Sequence, residues 1–318
     1  MLAGRGSARG WRPGHPPLLH LAGGLVVLTV ALSGCGGRHH AASSDPGLRR
    51  ARVTVDAPPP PLSAYRGPSS GPRARPPAPV VFVAADATDE GIAIVARGVQ
   101  QSATAIGWPL QIVDGQANAQ TESQAIRTAV RERPGGIILG GVNAASQQAA
   151  LQGARAHGVP VVGWHAATAP GPEPGAGLFT NVTSYPAQVA RLAADYAIAQ
   201  SGGTAGAVIF TDPAYAIDTY TSSLMASRMG HCRDCSVLAV LGQPIATASI
   251  DAVATVTALL ERFGARFTYL LAVNGAFVDA ARTALIGAGR AGDQPPFSVV
   301  AGEGTESEFA RIRDNAYH

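Results

Sequence analysis

From Pro79 onward, short apolar runs alternate along the chain with segments whose apolar residues recur at helical spacing. The first run, Val80–Val83, is rich in β-branched residues. Strands that alternate with helices in this way predict βαβ units and parallel sheets covered on both faces. The predicted strands are Val80–Val83, Leu110–Val113, Gly136–Leu139, Val159–Gly163, Gly206–Phe210, Val237–Leu241, Thr268–Val273 and Ser298–Ala301, and the predicted helices are Ile92–Ile106, Thr121–Arg133, Ala187–Gln200, Ala252–Phe263 and Phe277–Gly287.

The region from Pro79 to His318 is long for one α/β unit, because such units commonly contain roughly 100–150 residues. A short run at Gly177–Val182 lies midway and is typical of a crossover strand. The pattern therefore predicts an α/β fold of two lobes, an N-terminal one over residues 79–180 and a C-terminal one over residues 181–318.

The first 35 residues have the pattern of a bacterial signal peptide. Arginines precede an apolar run at Leu21–Ser33, which is shorter than the roughly 20 residues of a membrane span and fits the roughly 7–15 residues of a signal core. The run closes with Leu32-Ser33-Gly34-Cys35, which looks like a lipobox, the motif in which the cysteine receives diacylglycerol. The alternative is a plain signal anchor with a chance cysteine at position 35. We expect a lipid-anchored protein in the periplasm or on the outer face of the cytoplasmic membrane.

Residues 36–78 are rich in Pro, Gly, Ala and Arg and show no apolar periodicity, which predicts a disordered stalk.

The chain contains no lysine, so arginine supplies all of its basic side chains apart from histidine. Ten arginines and two acidic residues precede Pro79, whereas 14 arginines and 19 acidic residues follow it. The basic character thus belongs to the leader and stalk. A nucleic-acid-binding protein needs a basic patch on its folded part, so the charge distribution argues against that class.

Two cysteines remain if Cys35 carries lipid. Cys232 and Cys235 are spaced as in a redox C-x-x-C motif, but such a motif begins a helix after a strand, and this pair precedes the apolar run Val237–Leu241. A small structural disulfide is the simpler interpretation in an oxidising compartment.

Polar and aromatic side chains follow the predicted strands, where ligands bind in open α/β sheets. This mix of carboxylate, amide, imidazole and aromatic groups suits a small polyhydroxylated ligand, since an aromatic face covers the apolar side of a sugar ring. The alternative for residues in these positions is a purely structural role. Tyr215 and Trp164 could be packing residues, and Asp86 and Asp212, which also follow strands, could cap the next helix. The candidate ligand-binding residues are Asp89, Trp164, His165, Tyr215, Asn274 and Glu303.

The chain resembles the type I periplasmic sugar-binding proteins, the ribose-binding and lac-repressor-core group, over residues 79–318. The resemblance lies in GVQQSATAIGWPLQIVDGQANAQTESQAIRTAVRERPGGIILGGV, ALQGARAHGVPVVGWHA, LFTNVTSYPAQVARLAADYAIAQSGG and TYLLAVNGAFVDAARTALIGAG. It implies two Rossmann-like lobes joined by a hinge. It also places Asp89 in the first ligand-contacting loop, His165 where the family often has Asp, Asn274 on the binding Asn, and Glu303 near a late binding Asp.

The chain departs from the family pattern in several places. Gly91 and Ile92 stand where ribose binders have stacking aromatic residues, Thr219–Thr221 stand near the family's binding cation, and Gly275 replaces an Asp. The resemblance also implies a further C-terminal return to the first lobe after the stretch FARIRD. We therefore expect a C-terminally incomplete fold with a partly exposed face beside Val80–Val83 and Ile137–Leu139.

The resemblance implies a substrate-binding subunit that captures a sugar or similar small solute for the permease of an ABC importer. Two alternatives stay open: a lipoprotein sensor that presents its bound form to a membrane receptor, and a truncated, non-functional paralogue. An enzyme is not expected, because no G-x-S-x-G follows a predicted strand and no H-E-x-x-H or phosphate-binding Gly-Lys-Ser/Thr motif occurs. We expect no metal, no cofactor and no nucleic-acid partner, and we expect a monomer.

Overall fold

The computed structural model describes residues 45–58, 70, 77–290, 294–302 and 304–314. A first sheet has the strand order β2-β1-β3-β4-β6-β5, in which β5 alone runs antiparallel to its neighbour. Helices flank this sheet, and together they form what we call the first lobe. Its elements are β1 (Val80–Ala84), α2 (Glu90–Ile106), β2 (Leu110–Asp114), α3 (Ala119–Glu132), β3 (Gly136–Gly140), α4 (Gln148–Ala156), β4 (Val161–Trp164), β5 (Gly171–Glu173) and β6 (Leu178–Val182).

A second sheet has the order β10-β9-β7-β8, and all of its pairings are parallel. This sheet and its helices form the second lobe. Its elements are α5 (Pro186–Gln200), β7 (Gly206–Thr211), α6 (Ala216–Met229), β8 (Ser236–Gly242), α7 (Ala248–Phe263), β9 (Tyr269–Ala272), α8 (Gly275–Gly287) and β10 (Phe297–Val300), and α9 (Glu306–Arg313) follows them. The predicted α/β class with parallel sheets flanked by helices is confirmed.

Each sheet has its own hydrophobic core. Phe82, Ile126 and Leu139 are fully buried in the first lobe, and Phe210 and Phe277 are fully buried in the second. All five residues of β1 are buried because helices cover both faces of the sheet. Ile137 and Leu139 of β3 are buried as well, so the strands themselves are covered, and the expected partly exposed face beside them stays a prediction.

The prediction of a disordered stalk over residues 36–78 is wrong for one segment. Residues Pro46–Val55 form a helix, α1, which packs on α5 of the second lobe. Leu48 and Ala51 are buried in the second-lobe core. These two residues form an apolar stripe that is too narrow to stabilise a separate helix, so packing on the second lobe supplies the stability that the local sequence lacks.

In the part of the chain that the structure describes, no helix is long and apolar enough to cross a membrane.

Local signals explain where the helices begin and end. Asp89 caps the N-terminus of α2 by accepting a hydrogen bond from the backbone N–H of Ile92 at 2.9 Å, and Gly107 ends that helix with φ of 71°. Only glycine adopts this left-handed conformation without a steric cost.

The chain leaves the first sheet after Val182 and enters α5 at Pro186, so the predicted lobe boundary at residue 180 falls inside β6, two residues before its end.

Candidate functional site

Two helix caps, one from each lobe, meet at the carboxyl ends of the strands. Asp89 follows β1, and Asn274 follows β9. One carboxylate oxygen of Asp89 caps α2, and the Oδ1 of Asn274 caps α8 by accepting from the backbone N–H of Ala276 at 2.9 Å. The Nδ2 of Asn274 donates to the other oxygen of Asp89 at 3.1 Å, so a hydrogen bond between these two side chains joins the lobes here.

Tyr215 extends from the second lobe into the core of the first. It precedes α6, yet it is only 8% exposed and belongs to the hydrophobic cluster of the first lobe. Burial raises the pKa of its hydroxyl well above the ordinary value, and the carboxylates of Asp89 and Asp86 raise it further. Tyr215 therefore stays neutral and fills space between the lobes.

Trp164 and His165 form a stacked aromatic pair where β4 ends. Their ring centroids are 4.1 Å apart and their planes differ by 8°. His165 has φ of 52°, in the left-handed region that few residues other than glycine adopt. The backbone N–H of His165 donates to the carbonyl of Val182 at 3.1 Å, which ties the pair to β6.

Asn181 on β6 holds the loop that follows this pair, and the sequence analysis did not identify it. Its Oδ1 accepts from the backbone N–H of Ala166 at 3.1 Å, and its Nδ2 donates to the carbonyls of Ala167 and Ala169, each at 2.8 Å. The one available signal was an amide side chain inside the apolar strand LFTNV. Because Asn181 is 2% exposed and makes all three bonds to one loop, it positions the aromatic pair.

Two adjoining cavities lie between the lobes. The smaller, about 20 Å³, is bordered by five of the six predicted residues, namely Asp89, Trp164, His165, Tyr215 and Asn274. The larger, about 260 Å³, shares Asp89 and Asn274 and is otherwise lined mainly by polar and acidic side chains. The acidic residues that line it are Asp86, Asp89, Glu90, Asp279 and Glu308.

The volumes distinguish what each cavity can hold. A water molecule needs at least about 10–15 Å³ measured in this way, so the smaller cavity accommodates about one water. The larger approaches the lower end of the range for small-molecule sites, roughly 300–1,000 Å³. The aromatic residues border only the smaller cavity, so in this arrangement a sugar-sized ligand has room beside Asp89 and Asn274 but not beside Trp164.

Two predicted residues cannot be placed. Glu303 and the predicted lipidation site Cys35 lie outside the residues that the structure describes. Cys232 and Cys235 are joined in a disulfide directly before β8, and neither borders the two cavities.

Comparisons with known proteins agree with this architecture. The family model of the periplasmic binding protein domain matches residues 80–318. A sugar ABC transporter from Yersinia enterocolitica subsp. enterocolitica 8081 superposes with a TM-score of 0.67 at 14% identity, covering 77% of this chain and 72% of its own. The binding-protein component of the arabinose ABC transporter from Shewanella sp. ANA-3, bound to L-arabinofuranose, gives 0.67 at 13% identity over 75% and 78% of the chains.

An ABC transporter periplasmic solute-binding protein from Actinobacillus succinogenes 130z with bound D-allose gives a TM-score of 0.63 at 16% identity, covering 76% of this chain and 83% of its own. No curated protein sequence matches this chain significantly. The structural similarities at this level of identity establish the fold, and the family model establishes the membership. The chain belongs to the periplasmic binding protein domain family.

Proposed function

We propose that this chain is an extracytoplasmic substrate-binding protein that captures a sugar or a similar small polar solute for an ABC transporter. One observation carries the proposal: strand-end residues of two lobes, Asp89 and Asn274, meet across an interlobe cavity through a hydrogen bond. The family supports binding rather than catalysis, and the structural neighbours bind L-arabinofuranose and D-allose.

The chemistry of the cavity supports a ligand with several hydroxyl groups. Carboxylates accept hydrogen bonds from hydroxyl donors, and the amide of Asn274 both donates and accepts. We assign the ligand contacts to Asp89, Trp164, His165, Tyr215, Asn274 and Glu303, with Asp89 and Asn274 as the residues that bridge the lobes. A ligand that reaches the aromatic side requires the lobes to separate first, as in hinge closure.

A thermal-shift screen of the protein against monosaccharides and polyols tests this function. A ligand present at 100 times its dissociation constant adds about 2.7 kcal/mol of stability. Asn274→Ala is expected to abolish the ligand-dependent increase in Tm, because it removes the bridging amide.

Asn118→Ala is the matched control. Asn118 caps α3 by accepting from the backbone N–H groups of Gln120 and Thr121, and it does not border either cavity. Both variants lose a helix cap, worth about 1 kcal/mol. Only Asn274→Ala should also lose the ligand-dependent shift. The proposal fails if no sugar or polyol shifts the melting temperature, or if both variants respond to ligand equally.

We further propose that residues 1–35 hold a lipoprotein signal peptide with its lipobox, and that cleavage before Cys35 makes this residue the lipidated N-terminus of a monomer on the outer side of the membrane. The LSGC sequence after a short apolar core supports this location. Cys35→Ser, expressed in a bacterial host, is expected to prevent lipidation and removal of the leader. Incorporation of labelled fatty acid and the mass of the mature chain measure both. Labelling that persists in the variant would contradict the assignment.

A further inference from the structure

The helix α1 is fixed to the second lobe at its N-terminus as well as along its buried stripe. Asp45 caps the helix, with its carboxylate accepting from the backbone N–H groups of Gly47 and Leu48. The same side chain accepts from the backbone N–H of Arg233, between the two disulfide-bonded cysteines, at 3.3 Å. A Cβ atom on Gly47 would collide with the carbonyl oxygen of His231, so the helix lies directly against this turn.

The opposite face of α1 is basic and exposed. Arg49, Arg50 and Arg52 all lie on the surface, and Val53 between them is 74% exposed. None of the three arginines forms an ion pair with a residue that the structure describes. At 100° per residue they surround the side of the helix that faces away from Leu48 and Ala51. Within residues 46–58, Asp56 is the only acidic residue.

This basic face contrasts with the rest of the folded chain. From Pro79 onward the chain has 14 arginines and 19 acidic residues, so the lobes as a whole carry net negative charge. An anionic surface repels such lobes but attracts α1. Because salt screens charges over about 8 Å at physiological ionic strength, only a surface close to the helix is recognised in this way.

The sequence places α1 next to the predicted lipid anchor. Ten residues, 36–45, separate Cys35 from the helix. Even a fully extended chain of that length spans at most about 35 Å. If Cys35 carries lipid, the basic face of α1 is therefore confined to the neighbourhood of the headgroups.

We infer that Arg49, Arg50 and Arg52 form a membrane-contacting surface that binds anionic phospholipid headgroups. The inference rests on the proposed lipid anchor for its geometry and on the charge of the helix for its chemistry. An acyl anchor combined with a basic patch is a two-signal membrane attachment. Because α1 is docked on the second lobe, this contact holds that lobe at the bilayer and leaves the first lobe to move during opening and closure.

Vesicle binding by the chain that begins at Gly36 tests the surface without the leader or the lipid. Residues 42–318 form one compact unit, so this chain retains both lobes and α1. Co-sedimentation is measured with vesicles of phosphatidylcholine alone and with added phosphatidylglycerol, at low and at high salt. We expect binding only to the anionic vesicles at low salt. Each basic residue near such a surface contributes about a factor of five, so the triple variant R49Q/R50Q/R52Q should bind roughly 100-fold more weakly.

The control variant is R127Q/R131Q/R133Q, which removes two exposed arginines of α3 and the exposed arginine at its C-cap, and so changes the net charge equally. It should bind the anionic vesicles as the unmodified chain does, and thermal melts should show that both variants are folded. Equal binding by the two variants overturns the inference, as does absence of binding to anionic vesicles. Binding that requires added permease in the vesicles overturns it in favour of a protein partner. Because lipidation of Cys35 is measured separately, failure of the anchor and failure of the basic surface give different results.

Discussion

At the scale of single residues, a helix cap and a ligand contact are not exclusive roles. The sequence left both open for the carboxylates that follow strands. Asp212 does not cap α6, which begins after Tyr215; it closes a local turn by accepting from the backbone N–H of Ala214 at 2.8 Å, and its second oxygen accepts from the N–H of Ile245. Asp89 caps α2 with one oxygen and meets Asn274 with the other. A carboxylate has two oxygens, so capping leaves one for a partner across the cleft.

Glu122 is a buried acid whose charge the fold disfavours. Burial raises its pKa above the ordinary value of 4.5, although a hydrogen bond from the Nε2 of Gln147 at 3.0 Å partly opposes this. The Oε1 of Gln147 is buried and has no hydrogen-bond partner among the described residues. A glutamine at position 122 would supply an N–H donor for this oxygen and would keep an oxygen that accepts from the Nε2 of Gln147.

We expect Glu122→Gln to stabilise the protein at neutral pH. Because the folded-state pKa is raised, the unmodified protein has the full contribution of Glu122 below about pH 4.5 and loses it as pH rises through the folded value. The difference in unfolding free energy between variant and parent should therefore grow with pH over this range and then level off. Urea unfolding at several pH values measures it.

Glu132→Gln provides the comparison, since Glu132 is exposed at the end of the same helix. Removing an exposed charge changes stability by less than about 0.5 kcal/mol. If Glu122→Gln destabilises the protein at pH 7, the carboxylate forms an interaction that its burial and the Gln147 bond do not reveal.

At the scale of elements, α1 shows how a helix can form where the local sequence does not demand one. Its signals are Asp45 at the cap, Pro46 at the first helical position and a stripe of two buried apolar residues. α1 packs on α5, and the fully buried Ala190, Ala194 and Ala197 of α5 belong to the same core cluster as Leu48 and Ala51. Neither segment alone shows that the two helices pack together.

Leu48→Ala tests whether α1 contributes to the stability of the second lobe. Leu48 is 2% exposed, and replacing a buried leucine by alanine costs about 2–5 kcal/mol. We expect a loss in this range, measured as the free energy of urea unfolding, together with faster trypsin cleavage after Arg49 and Arg50.

Val53→Ala is the control on the same helix, because Val53 is 74% exposed and should change stability by less than about 0.5 kcal/mol. Equal effects of the two substitutions would mean that α1 does not dock as described.

At the scale of the whole molecule, side chains of the two lobes pack against each other. Tyr215 of the second lobe is buried in the first-lobe cluster, and Ile217 and Ile245 pack against the same cluster. The hydrogen bond between Asp89 and Asn274 completes the contact. Side chains of both lobes therefore stabilise this arrangement, and under the proposed function a ligand would change the balance between it and more open states.

We expect Tyr215→Ala to shift the ligand-free protein toward open states, because it removes the aromatic ring that links the second lobe to the first-lobe core. Small-angle scattering should show a larger radius of gyration than for the unmodified chain. Tyr215→Phe keeps the ring and removes only the hydroxyl, so its scattering should match that of the parent. An unchanged radius of gyration for Tyr215→Ala would contradict the idea that Tyr215 holds the lobes together.

The sequence alone determined the alternation of strands and helices, since a strand buried on both faces must be apolar throughout and a flanking helix must be apolar on one side. Hence the predicted strand Val80–Val83 differs from β1 by one residue. The same reasoning identified Asp89 and Asn274, because each follows the carboxyl end of a parallel strand, where ligands bind in open α/β sheets. Their placement at one cavity is seen in the structure, and their contact with a ligand stays a prediction.

Only the tertiary structure decided the rest, because it depends on surfaces from distant parts of the chain. Three contacts join residues whose local sequence does not indicate the partner. The helix α1 packs on α5, Tyr215 lies in the first-lobe core, and Asn181 binds the loop that follows Trp164 and His165. α6 escaped the pattern analysis for a related reason: it carries polar residues on most sides, and Met225 and Met229 are buried by the surrounding lobe rather than by an amphipathic stripe. Periodicity records which face of an element is buried, whereas complementarity between two faces exists only once the chain has folded.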